Sequence, residues 1–164
     1  MRVLVEREPQ FVSLPADHPA TAKPVVTLAD LVRDRWMIDP TVDGWGHPLW
    51  GRDAVQRMFR AAGVNPVVLH GDYHTADALV ATGEVVTVCQ PTRVPRADMA
   101  VRRLHGDPLG VRLLLAARTE TDLDGVRPAL EEAYWETARQ APAYREWLEA
   151  DGRPETRPAV PAIP

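Results

Sequence analysis

The sequence is poor in several residue types that mark particular protein classes. It holds a single cysteine, Cys89, among 164 residues. No disulfide can therefore form within the chain, as fits a reducing compartment. Lysine is also nearly absent, with Lys23 alone, and 19 basic residues face 23 acidic ones for a formal net charge of −4. Binding to nucleic acid through phosphate contacts needs the opposite balance, so no DNA binding by this chain is expected. Long apolar runs are missing too; none approaches the roughly 20 residues of a membrane span. The opening Met1-Arg2-Val3-Leu4-Val5-Glu6-Arg7-Glu8 turns charged at once, unlike a secretory leader, so the cytoplasm is the expected location. What remains is an ordinary globular composition, 45% hydrophobic and 26% charged. Its length suits one core or two small lobes.

The hydrophobic pattern predicts alternating elements. Val3, Val5 and Phe11–Leu14 read as short strands interrupted near Glu8-Pro9, and Pro15, Pro19 and Pro24 then punctuate a loop. Thr27 is placed to cap a short helix over Leu28–Val32. Trp36-Met37-Ile38 reads as a buried strand. Trp50, Ala54, Met58 and Ala62 step by four, with Val55 and Phe59 beside them, which predicts a helix ended by Gly63. Pro66–Leu69 is strand-like, Thr75 is placed to cap a helix over Ala76–Thr82, and Val85–Val88 is β-rich. Helices alternating with strands over residues 27–89 predict an α/β lobe with a parallel sheet. Met99–Leu104 and Val111–Ala116 predict two strands around His105–Pro108. A long helix follows through Val126, Leu130, Tyr134 and Ala138, capped at Asp122 or Asp124, with Pro128 in its first turn. Pro142 opens a last helix carrying Tyr144 and Trp147.

The segment Leu14-Pro15-Ala16-Asp17-His18-Pro19 resembles the opening of the second lobe of LysR-type effector-binding domains. The order of the downstream elements is also similar to that family: the Leu28–Leu31 element, Trp36–Ile38, a helix ending in Ala62-Gly63, Pro66–Val68, and Thr75 ahead of Leu79-Val80-Ala81-Thr82-Gly83. Val85 and Gln90 depart from the family's usual glycine and proline. The resemblance covers roughly residues 1–140. It implies a type 2 periplasmic binding protein-like fold, in which two α/β lobes are joined by two crossings with the ligand between them. On that reading residues 15–90 form one Rossmann-like lobe. Residues 1–14 and 91–150 supply a partial first lobe, the crossings near Glu8–Leu14 and Val88–Pro95, and the C-terminal helices. Residues 151–164 form a Pro-rich tail. The family's DNA-reading helices are not in this sequence.

Ligands of open α/β sheets collect at the carboxyl ends of the strands, where helix N-termini present free amides. Three segments fall there: Asp39-Pro40-Thr41, His70–Thr75 and Gln90-Pro91-Thr92, and the resemblance implies effector contacts at the same places. Asp39, Thr41, Trp45, His70, Tyr73, His74, Thr75, Gln90 and Thr92 are therefore the expected ligand contacts. Thr75 would offer its hydroxyl and neighbouring amides to a carboxylate, or simply cap the helix, or both. Trp45 would stack on a flat ligand or cover a core edge. The expected ligand is a small anionic or aromatic metabolite. His70, Asp72 and His74 carry an alternative, a stand-alone enzyme on a borrowed binding fold in which Asp72 orients a histidine for acid–base chemistry. Their spacing matches no metal motif, and His47 is the sole further imidazole at hand, so neither metal nor cofactor is expected. Cys89 reads as a small buried residue and the Arg102-Arg103 pair as a solvated strand face. Tyr134, Trp135, Tyr144 and Trp147 suggest a homodimer built on the 99–116 strands and the C-terminal helices.

Overall fold

Along the short strands of this chain, side chains alternate between two buried faces, and that alternation sets the layers. A computed structural model describes residues 2–39 and 52–151. Its strands are β1 (Arg2–Pro9), β2 (Phe11–Pro15), β3 (Val25–Val26), β4 (Trp36–Ile38), β5 (Val68–His70), β6 (Val86–Cys89), β7 (Met99–Leu104) and β8 (Gly110–Leu115). The α-helices are α1 (Arg52–Ala61), α2 (Tyr73–Ala81), α3 (Glu120–Gln140) and α4 (Pro142–Asp151). Six strands form one sheet in the order β3-β7-β2-β6-β4-β5, and β1 pairs with β8 in a separate two-stranded ribbon. Val12, Leu14, Trp36, Ile38, Val86, Val88 and Leu104 share one face of the large sheet with Val55, Met58 and Phe59 of α1. Phe11, Cys89 and Val101 point the other way, under Ala138, Ala141 and Tyr144 of the α3–α4 hairpin. Met37, Val85 and Met99 lie on that second side beneath Ala76 and Val80 of α2. Each large apolar side chain so covered contributes about 1.5–3 kcal/mol; Trp36 and Phe59 add an edge-to-face contact at 5.0 Å.

The Leu-Pro-Ala-Asp-His-Pro segment is structural. Leu14 is fully buried, and Pro15 ends β2. His18 Nδ1 accepts the Ala20 N–H at 3.1 Å, which places the ring proton on Nε2, 3.1 Å from Asp34 Oδ1. Pro19 opens the following 3-10 turn, Pro19–Ala22.

Several elements differ from expectation. Leu28–Val32 forms successive turns rather than a helix. Asp30 Oδ2 accepts from both the N–H and the hydroxyl of Thr27, at 2.9 and 3.0 Å, closing a single turn too short to propagate. The large sheet is mixed: β4 runs parallel to β5 and β6, while β2 is antiparallel to β6 and β7. β7 and β8 do not pair; β7 lies between β2 and β3, whereas β8 returns to β1. Met99–Leu104 therefore belongs to the large sheet. The second crossing lies at residues 105–109 and not at Val88–Pro95, and it meets the first where Gln10 N–H donates to Leu109 O at 3.0 Å. Thr119 caps α3 through the Asp122 N–H, in place of Asp122 or Asp124. Pro128 sits inside that helix, where the Arg127–Glu131 pair at 2.6 Å bridges its turn. The aromatic hairpin expected at a dimer interface covers the chain's own sheet instead, with Tyr144 wholly buried. The loop from Thr41 to Pro48, Trp50 and most of the Pro-rich tail lie outside the described residues.

Glu8, at the first crossing, is 1% exposed. It accepts the Tyr134 hydroxyl at 2.5 Å and lies 3.4 Å from Gln10 Nε2; Tyr144 Oη is 3.0 Å from Tyr134 Oη. Burial pushes the Glu8 carboxyl above its ordinary 4.5, against the opposing hydrogen bonds from Tyr134 and Gln10. The folded chain thus holds this proton more tightly than the unfolded one. The stability Glu8 contributes is full below pH 4.5 and is lost as pH rises through the raised folded value. In Glu8→Gln that loss is absent. The stability of the variant relative to the parent should grow with pH above 4.5, by at most about 1.4 kcal/mol per pH unit. Urea unfolding at a series of pH values measures it, and a gap that narrows with pH contradicts the assignment.

Candidate functional site

The parallel strands β4, β5 and β6 end together. Ile38 is level with His70 in one ladder and Met37 with Thr87 in the other, so Asp39, Gly71 and Val88 follow at one edge of the sheet. The Gly71 N–H donates to Ile38 O at 3.3 Å, extending that level by one bond. A cavity of about 70 Å³ opens there, lined by Asp39, Val55, Gly71, Ala76, Thr87 and Val88 among others. Beneath it the Thr87 hydroxyl donates to Met37 O at 2.8 Å, satisfying a buried polar group. Gly71 lies close to Met37: a Cβ there would come within 2.8 Å of Met37 Sδ, so that side chain would have to shift.

The His70–Thr75 segment turns from β5 into α2 across this edge. Asp72, not Thr75, is the cap. Its carboxylate accepts the Thr75 N–H at 2.9 Å and the Thr75 hydroxyl at 2.7 Å. These bonds from Thr75, backbone first, hold the Asp72 carboxyl below its ordinary value. The Thr75 hydroxyl, which was expected to reach a ligand or to cap the helix, thus bonds Asp72, and each Asp72 oxygen accepts a bond within the cap. His70, His74 and Thr75 are exposed along the rim, and Tyr73 is the first residue of α2.

Gln90 is exposed just past β6, and its carbonyl accepts the Arg93 N–H at 3.1 Å, closing a turn with Thr92 half-buried inside it. Arg93 reaches Asp77 of α2 at 2.6 Å and fastens the turn to that helix. Sequence reading misses this tie, because 16 residues separate the partners and no helical or strand period links them. The structure therefore brings Asp39 and Gly71 into one cavity, with the His70–Thr75 rim alongside. Thr41, Trp45 and His47 lie outside the described residues. Among the described residues no group of three or more His, Cys, Asp or Glu side chains is placed to hold a metal ion. Cys89 is buried, and desolvation pushes its thiol up to about 12, which removes it as a nucleophile.

Comparisons with known proteins agree on one family. The family model described as LysR substrate binding domain matches residues 2–149. The chain is 72% identical over 153 residues to the small neutral protease regulatory protein of Streptomyces coelicolor (strain ATCC BAA-471 / A3(2) / M145), covering 93% of this chain and 44% of that relative. It thus spans less than half the length of that curated relative. Among solved structures it is similar in fold to the BenM effector binding domain with its effector benzoate, with TM-score 0.54, 21% identity, and coverage of 94% of this chain and 68% of that one. The regulatory domain of MetR, a LysR family regulator from N. meningitidis, superposes with TM-score 0.55 at 20% identity, covering 92% of this chain and 64% of that chain.

The cap assignment is open to a direct check. Asp72→Ala should accelerate amide hydrogen exchange at Thr75, whose N–H loses its acceptor, while the Val86–Cys89 strand keeps its protection. Unchanged exchange at Thr75 would contradict the cap.

Proposed function

The chain belongs to the LysR substrate-binding domain family, and on that premise we propose that it is a small-molecule effector-binding module of a regulatory protein. Its ligand, a small anionic or aromatic metabolite, lies along the edge made by Asp39, His70–Thr75 and Gln90–Thr92. The observation that carries this reading is the common level of the β4, β5 and β6 ends over a cavity lined by Asp39 and Gly71. Strand ends of this kind are where open α/β sheets bind ligands. Benzoate, the effector of the BenM domain, is an anion with an aromatic body and fits that class. The acid–base alternative at His70, Asp72 and His74 is less well supported, since Asp72 serves as the cap of α2.

The module works in the cytoplasm and does not itself hold DNA. Among the described residues no helix is long and apolar enough to cross a membrane, and the net charge of −4 opposes phosphate binding. Two copies associate through β8 and the exposed part of α3, and not through Tyr144, which is buried. Leu114 of β8 and Val126 and Leu130 of α3 remain 38%, 49% and 44% exposed, and exposed apolar groups of this size favour a partner.

Titration of the isotope-labelled chain with benzoate tests the ligand edge. Amide shifts should appear at Asp39, His70–Thr75 and Gln90, and Thr75→Trp should remove them while circular dichroism stays unchanged. Arg112→Ala, which breaks only the exposed pair with Glu6, should leave them intact. Arg103→Ala is unsuitable as a neutral control, because Arg103 bonds Asp107 twice and lies 5.7 Å above the Trp147 ring. Binding by Thr75→Trp at parental affinity would overturn the assignment. Sedimentation at micromolar concentration should show a dimer that Leu130→Glu converts to monomer, and a monomeric parent chain would refute the association.

A further inference from the structure

A larger groove lies away from the strand ends, on the α1 side of the large sheet. It has a volume of about 750 Å³ and runs between α1 and the turn at Thr27, reaching the second crossing and β1. Pockets of this size are typical of small-molecule sites. Its apolar wall is built by Leu28, Met58 and Leu109, and its polar side chains are those of Arg7, Arg57, His105 and Thr27. None of its lining residues is acidic.

The charge at the hinge end is held in place without being neutralised. Arg7 lies flat across Gly110, where a Cβ would come within 2.7 Å of both Cγ and Cζ of the arginine. Its Nη2 donates to the backbone carbonyl of Asp107 at 2.8 Å, a neutral acceptor that orients the guanidinium and leaves its charge unbalanced. The Asp107 carboxylate is taken by Arg103, through bonds of 3.1 and 2.9 Å. Asp30, in the Thr27 turn, is likewise held by Lys23 at 2.6 Å. Arg57 is exposed on α1 and makes no ion pair among the described residues. The His105 N–H donates to Val26 O at 2.8 Å, which fixes the turn that carries the imidazole.

We infer that this groove is a second ligand site, for a small organic carboxylate with an apolar body. The body lies on Leu28, Met58 and Leu109, and the carboxylate is taken by Arg7 and Arg57. A guanidinium fork matches a carboxylate in geometry as well as charge. Arg7 stands on the β1–β8 ribbon and Arg57 on α1 over the large sheet, so an occupant tied to both would bind the ribbon to the lobe. The site is distinct from the strand-end edge and does not depend on it.

Benzoate and the uncharged benzamide are the probes, added to the labelled chain with both amide and arginine side-chain signals followed. Benzoate should shift His105, Leu109, Gly110 and the Arg57 Nε–H. Arg57→Gln should weaken that response roughly tenfold, as the loss of one charge-assisted hydrogen bond implies, and Arg57→Lys should restore part of it. Benzamide should bind far more weakly, and added salt should weaken benzoate alone. Shifts confined to Asp39, His70–Thr75 and Gln90 would overturn the groove site while leaving the proposed function standing; shifts confined to the groove would do the reverse. Equal response to benzamide, or to benzoate in Arg57→Gln, would also overturn it. So would a response of the α1 amides that appears only with self-association, which would make the groove an interface.

Discussion

The arrangement rests on one buried bond, from the Tyr134 hydroxyl to the Glu8 carboxylate, joining residues 126 apart in sequence. Glu8 ends the ribbon strand just before the chain crosses into the large sheet, and Tyr134 belongs to the long C-terminal helix. A carboxylate out of water is costly unless it is well hydrogen-bonded, so the helix cannot leave this position cheaply. Tyr144 extends the contact to α4. Trp147, one turn further, sits under Arg103 of β7, which in turn grips Asp107 in the second crossing. Both crossings are therefore fastened to the same helical hairpin.

That fastening decides which surfaces are left for ligands. The hairpin covers Phe11, Cys89 and Val101 on one face, and α1 covers the other. Among the surfaces left open are the edge where β4, β5 and β6 end, and the groove between α1 and the crossings. The two differ in character. The edge is small, with Asp39 in its wall and the α2 cap beside it. The groove is roomy and basic, with its apolar wall already formed.

Elements with a strong period are legible in the sequence. Trp36–Ile38 and the β-rich run ending at Cys89 are apolar on both faces, as strands buried on both sides must be. The Ala54, Met58 step with Val55 and Phe59 matches α1 over its described residues. The ordered resemblance to one family carries the fold class. Pairing is not legible: β7 alternates in the same way whether it neighbours β8 or lies between β2 and β3, so sequence pattern puts the second crossing too early. Nor does local pattern distinguish Asp72 from Thr75 as the cap, since both residue types cap well and the backbone path out of β5 decides. The same blindness hides Glu8–Tyr134, Arg93–Asp77 and the convergence of Arg7, Arg57 and His105. Each joins residues far apart in the chain, whose types look like ordinary surface charge until the fold brings them together.

On this reading the domain holds a small anionic or aromatic metabolite. Native mass spectrometry of the protein isolated from its own host, followed by release and identification of whatever is retained, tests it most directly. A small anionic or aromatic metabolite should be bound by the parent chain and lost from a variant carrying both Thr75→Trp and Arg57→Gln. Retention of a cationic metabolite or of an uncharged one without an aromatic ring, or of the same ligand by the double variant, would contradict this reading.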